Sequence, residues 1–160
     1  MRNYGFTLIE ISIVLAITAI LLSFALINLT RVQTNTYVDT SVESLLSDIK
    51  SQQTNAMNGR LSQAGGATKY GIHFETTSYT LFEGATYDEF NGTNFTVSLQ
   101  GNTEFTSVTF PSNEIVFEKG SGEIVGFVDG SNTIILQDTA SGIQTQIKLN
   151  ALGVFTTIQQ

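Results

Sequence analysis

Gly5-Phe6-Thr7-Leu8-Ile9-Glu10, with the apolar run Ile11 to Leu29 behind it, is the stretch from which the rest of the chain is read. Between Ile11 and Leu29 there is no charged residue, no Gly and no Pro, and only Ser12, Thr18, Ser23 and Asn28 interrupt the aliphatics and Phe24. Phe6 to Leu29 is about 24 residues, which at ~1.5 Å per residue reach roughly 36 Å, enough for a hydrocarbon core of about 30 Å. The run therefore predicts a membrane-spanning helix.

Glu10 breaks the pattern. An ionised side chain inside an apolar span is costly, so it points to a functional site with a charge partner. The simpler reading puts Glu10 at the end of the span, reaching the headgroups. If the chain is cut after Gly5, however, Phe6 gains an α-amino group about one helical turn, roughly 6 Å, from Glu10. The carboxylate also suits the positive end of the helix dipole. Between two staggered chains, Glu10 of one would neutralise Phe6 of the next and set their register.

Gly-Phe-Thr-Leu-Ile-Glu opening a long apolar helix after a very short leader resembles the signal of type IV pilins and type II secretion pseudopilins. The resemblance implies cleavage after Gly5 by a membrane prepilin peptidase, N-methylation of Phe6 as the new terminus, and Glu10 as the assembly carboxylate. It also implies other pilin or pseudopilin subunits and an inner-membrane assembly platform as partners. The location implied is single-pass in the bacterial inner (cytoplasmic) membrane, with the globular domain outside the cytoplasm. Many pilins carry a proline partway along this helix; here there is none, so no proline kink is expected.

Length and charge narrow the alternatives. The chain has 160 residues. With about 30 in leader and span, the remainder fits one domain by the prior of ~100 to 200 residues each. Cysteine is absent, which removes disulfides, thiolate nucleophiles and Cys-based zinc sites. The net charge of −7 becomes −8 once Arg2 leaves with the leader. The remaining cations Arg31, Lys50, Arg60, Lys69, Lys119 and Lys148 are scattered, so no basic patch suits a phosphate backbone and no nucleic-acid partner is expected. The positive-inside signal is thin, with Arg2 and the starting amine set against Arg31.

Four segments are expected: a leader 1–5, a transmembrane or filament-core helix 6–29, an amphipathic continuation 30–59, and a β-rich domain 60–160. Met1 to Tyr4 are too short for an ordinary secretory signal. Beyond Leu29, Val38, Val42, Leu45, Leu46, Ile49 and Ala56-Met57 recur at steps of three and four, the mark of one buried helical stripe. Asp39, Glu43, Asp48 and Lys50 fall on the polar face, and Gly59 is the stop. Thr34-Asn35-Thr36 has low helix propensity, so a break between Thr30 and Val38 is compatible with the sequence. Arg60 to Thr68 reads as a loop.

From Lys69 the period becomes two. Strands are expected at Tyr70 to Phe74, Tyr79 to Phe82, Asn94 to Gln100, Glu104 to Phe110, Glu114 to Glu118, Ile124 to Val128, Thr133 to Gln137, Ile143 to Asn150 and Val154 to Ile158, separated by Gly, Asn and Asp turns. Pro111 ends the fourth. The fold class is therefore α+β, a long helix packed against antiparallel sheets in a pilin-like arrangement. Tyr70-Gly71-Ile72-His73-Phe74 with Tyr79-Thr80-Leu81-Phe82, and the ending Thr133-Ile134-Ile135-Leu136, Ile147-Lys148-Leu149-Asn150 and Gly153, resemble the minor pseudopilins of the H type (GspH) and the FimT-like minor pilins.

Nothing in the sequence supports catalysis, and no cofactor or metal is expected. His73 lacks a second imidazole or a Cys, so it reads as a surface strand residue. Asp88-Glu89 and Glu114/Glu118 read as solvated carboxylates. Asp129 to Asn132 offers loop oxygens of the kind that bind calcium, but an Asp-Gly turn explains it more simply. No Gly-x-Ser-x-Gly occurs, and Gly120, Gly122 and Gly126 miss the dinucleotide spacing by one residue. The reading is a structural subunit, a minor pseudopilin or minor pilin. The alternatives are a major pilin, or a ligand-binding minor pilin for a surface or DNA, the latter disfavoured by charge. A membrane-anchored enzyme ranks last.

Overall fold

The computed structural model describes residues 7–61, 65, 66 and 68–159, and side chains among these except in 24–36 and 157–159. One helix, α1 (Leu8–Met57), comes first, then β1 (Tyr70–Phe74), β2 (Ser78–Glu83), β3 (Phe95–Ser98), β4 (Thr103–Val108), β5 (Glu114–Phe117), β6 (Thr133–Asp138), β7 (Gln144–Leu149) and β8 (Phe155–Gln159). The strands form two four-stranded antiparallel sheets, ordered β3-β2-β1-β5 and β4-β6-β7-β8. This is the expected α+β, pilin-like arrangement of a helix on antiparallel sheets.

α1 runs 50 residues without interruption, roughly 75 Å at ~1.5 Å each. The low-propensity Thr34-Asn35-Thr36 does not break it. Asn58 caps the helix, donating to Thr54 O, and Gly59 follows in the left-handed region (φ 59°), the conformation that ends helices and that Gly adopts without steric cost.

The C-terminal part of α1 buries one stripe, Val38, Val42, Leu45, Ile49 and Ala56, against both sheets. It meets Ile72, Phe74 and Ile115 of one sheet and Phe105, Ile134 and Leu136 of the other in a single core. Full burial of each Leu or Ile contributes about 1.5–3 kcal/mol. Two polar residues share the stripe, Gln52 and Gln53, and Met57, expected inside, is half exposed. Gln53 Nε2 donates to Gly122 O (2.9 Å) and Leu152 O (2.8 Å), and Lys50 Nζ donates to its Oε1 (3.0 Å). The helix is thus tied to the loops beside both sheets. At Gly153 (φ 69°) an added Cβ would lie 2.5 Å from Gln53 Nε2, so the clasp needs glycine there.

The strands match the period-two reading with one exception. Ile124 to Val128 is not a strand: only Ile124 bridges to Phe117, and Gly126 turns the chain at φ 64°. Apolar composition predicted a strand there, but Val125 and Val128 face solvent and the segment instead covers the edge of β5. Expected as one buried face, Phe95, Val97 and Leu99 divide: Val97 and Leu99 pack on the core, and Phe95 is 64% exposed. β4 carries a bulge between Phe105 and Ser107.

Candidate assembly site

Thr7 is the N-cap of α1, with extended backbone (φ −83°, ψ 152°). The Glu10 amide donates to Thr7 Oγ1 (3.3 Å), and the Thr7 amide donates to Glu10 Oε2 (2.9 Å). The Thr7 hydroxyl also donates to Glu10 Oε2 (2.8 Å). This is a reciprocal capping box, in which two helix-start amides find acceptors. Glu10 therefore has a role within its own chain. The sequence reading offers Glu10 the Phe6 amine of its own chain or of a neighbour, the helix dipole and the headgroups, and passes over Thr7, although Thr-x-x-Glu before an apolar run is the recognised pattern. Gly5 and Phe6, expected as cleavage and methylation residues, lie outside the described residues, as does the leader.

Between Glu10 and Ser23 the helix is apolar all round, and among the described residues nothing covers it. Leu8, Ile9, Ile11, Ile13, Val14, Leu15, Ile17, Ile20, Leu21 and Leu22 are all exposed, Leu8 by 86%. The hydroxyls of Ser12, Thr18 and Ser23 donate to Leu8 O (3.0 Å), Val14 O (2.7 Å) and Ala19 O (2.9 Å). Such back-bonding removes the polar groups that would ask for water. A helix apolar on every face needs an apolar surrounding, lipid or other helices. Among the described residues no helix is long and apolar enough to cross a membrane. The described side chains of the apolar run stop at Ser23, short of the expected end at Leu29.

The remaining candidates resolve into structure. His73 is half-buried, not a free surface residue: its ring stacks on Tyr87 (centroids 4.1 Å apart, planes 9°), and Nδ1 lies 3.4 Å from Glu114 Oε1 without hydrogen-bond alignment. Glu118, read as solvated, pairs with Lys69 at 2.7 Å, and that hydrogen bond holds its carboxyl below the usual range. Asp48, assigned to the polar face, accepts from Tyr79 Oη at 2.6 Å. Burial first, then this bond, pushes the Tyr79 phenol well above the ordinary tyrosine range. Asp129 Oδ1 accepts from the Gly130 amide (3.1 Å), as in a turn. Among the described residues no group of three or more His, Asp or Glu is placed to hold a metal ion.

Residues 1–26 match the family model described as the prokaryotic N-terminal methylation motif. No curated protein and no solved structure matches the chain. The N-terminus thus carries a type IV pilin or pseudopilin signal, which supports a pilin-like structural subunit that is processed by a prepilin peptidase and assembles with other such subunits.

Proposed function

We propose that the chain is a structural subunit of a type IV pilus or a type II secretion pseudopilus. Prepilin peptidase cuts between Gly5 and Phe6 and methylates the Phe6 amine. The 6–29 segment holds the subunit in the inner membrane, with the β-rich domain 60–160 outside the cytoplasm, until the assembly platform extracts it into a helical filament. Within the filament the apolar 6–29 helices bundle, with the 30–59 helix leading into the domain. The H-type resemblance favours a minor subunit near the tip; incorporation in many copies, as a major pilin, is the second reading, supported by the open sheet edges treated below.

The observation that carries this proposal is the methylation motif over residues 1–26 on a helix whose apolar side chains from Leu8 to Leu22 are exposed among the described residues. The capping box adds a mechanism. Cleavage after Gly5 makes Phe6 the terminus but leaves the Thr7 amide in place, so the box survives processing. Its described bonds fall on Glu10 Oε2. A carboxylate has about four lone-pair sites over its two oxygens, which leaves capacity for an ammonium from Phe6 of an adjacent subunit. Thr7 then holds the carboxylate at the helix start while a neighbour supplies the charge.

Intact-mass measurement of the membrane form tests the reading. Loss of Met1 to Gly5 with one added methyl on Phe6 is expected, and an unprocessed chain in a host with active prepilin peptidase overturns it.

A further inference from the structure

We infer that copies of this chain join side by side through their sheets, β8 of one subunit pairing with β3 of the next. The inference rests on the second form of the filament reading, a subunit incorporated in many copies, and adds to it a β ladder beside the helix bundle between neighbours.

Each of the two sheets has two edges, and the chain treats the four differently. β5 is covered by its own loop: Val125 N donates to Val116 O (2.8 Å), Glu118 N donates to Glu123 O (2.8 Å), and Ile124 bridges to Phe117. β4 is bulged between Phe105 and Ser107, carries Glu104, and gives its Phe105 amide to Thr76 O (2.8 Å). These are the devices by which proteins close edges to foreign strands: cover, bulge and charge. Among the described residues, β3 (Phe-Thr-Val-Ser) and β8 (Phe-Thr-Thr-Ile-Gln) have no covering segment, and their strands carry neither charge, Pro nor bulge.

The open backbone groups can be assigned. Leu99 N donates to Thr77 O, and antiparallel pairs alternate between bonded and non-bonded. With the β2–β3 register, Thr96 and Ser98 therefore turn their N–H and C=O groups away from β2. Asn150 N donates to Val154 O, so by the β7–β8 register Phe155, Thr157 and Gln159 do the same at the outer edge of β8. Water meets such a row in the isolated chain, and an extended backbone can replace it with a full ladder.

The occupant follows from symmetry. Pairing β8 with β8 antiparallel requires a two-fold axis normal to the sheet. α1 packs across the face of that sheet, on β4, β6 and β7, so the same axis reverses α1. Two subunits whose apolar helices enter one membrane in one direction cannot be related that way. Pairing β8 with β3 is heterologous, carries no such reversal, and repeats without closing, as a filament requires. The edges lie on opposite flanks: the chain passes from β3 through Gly101 directly into β4, while Ile124, beside β5, bonds to Ala151 in the turn before β8.

The absence of cysteine makes the test clean. In the full-length chain, Thr156→Cys is combined in turn with Phe95→Cys, Thr96→Cys, Val97→Cys and Ser98→Cys, and filaments collected from cells are oxidised. The expected result is a ladder of disulfide-linked multimers from two alternate positions, weak or absent at the other two, because strand side chains alternate faces. Each single-cysteine chain is expected to stay monomeric. Ser98→Pro, which removes an outward N–H, is expected to lower the ladder several-fold in the best-linking pair that leaves position 98 unchanged. Filaments without a ladder, a ladder equal at all four positions, or a dimer from Thr156→Cys alone overturns the edge pairing and leaves the filament reading intact. Processed chain that never enters filaments overturns both.

Discussion

Replacing Gln53 tests how the helix is held to the sheets. Its side chain is 4% exposed and both hydrogens of its amide are used, one on Gly122 O and one on Leu152 O. Gln53→Leu keeps the volume and removes both donors. A buried carbonyl left without a partner costs about 1–3 kcal/mol. Gly122 is buried, so its carbonyl bears that cost, whereas exposed Leu152 regains water and loses little. The expected loss is therefore about 2 kcal/mol, nearer the cost of one orphaned carbonyl than of two.

Gln53→Glu sharpens the test. At neutral pH it sets a carboxylate oxygen against two carbonyl oxygens, with only Lys50 to compensate, and should cost more than Gln53→Leu. The folded state raises the introduced carboxyl's pKa above its unfolded value of about 4.3. Stability is then fully retained below that unfolded value and lost as pH rises through the folded one, so the deficit shrinks on acidification. Urea unfolding of the full chain in detergent, followed by the near-ultraviolet circular dichroism of its tyrosines, gives both numbers. If both variants unfold within about 0.5 kcal/mol of the parent, the size of an ordinary surface substitution, the clasp contributes nothing and the reasoning fails.

Gly71→Ala places a Cβ 2.4 Å from Phe82 Cζ and 2.9 Å from Ile115 O, so it should lower stability by about 1–3 kcal/mol; an unchanged urea midpoint refutes this. Thr7→Ala removes the cap and should cost about 1 kcal/mol of helix stability, visible as faster hydrogen exchange at the Glu10 and Ile11 amides and as reduced filament yield with normal leader removal. Tyr79 should be the last of the five tyrosines to ionise on alkaline titration, and only with unfolding, because burial and Asp48 both oppose the phenolate. In Tyr79→Phe that late step should vanish from the absorbance curve. The Lys69–Glu118 pair is partly exposed to solvent, so Lys69→Met should shift the urea midpoint little. Glu118's lowered pKa means that whatever the pair contributes is present above the unfolded carboxyl value and fades as pH falls through the folded one.

Most of the fold was legible because two periods write it plainly. Steps of three and four placed Val38 to Ile49 inside, and alternation placed eight strands within a residue or two of their bounds. Where local pattern and tertiary need diverge, the sequence misleads. Ile124 to Val128 has a strand's composition, yet Gly126 turns and two valines face out. Gln52 and Gln53 look like surface residues and are buried, because the carbonyls they serve, Gly71 in β1 and Gly122 and Leu152 in loops, are far away in sequence. Asp48 and His73 gain partners the same way, from Tyr79 and from Tyr87 and Glu114. At the candidate site the signal was legible because its residues are contiguous within 1–26, whereas the Thr7–Glu10 capping box was passed over although the two lie three residues apart.

The unbroken α1 has a mechanical consequence. A rod with no Gly or Pro between Thr7 and Asn58 has no built-in joint, so a tug on its apolar end passes along the shaft toward the buried stripe that begins at Val38. Such a shaft lengthens only by uncoiling, from ~1.5 to roughly 3.3 Å per residue. The turns around Thr34-Asn35-Thr36, weakest in intrinsic preference, yield first, and each residue released there adds about 1.8 Å of slack before the load reaches the domain.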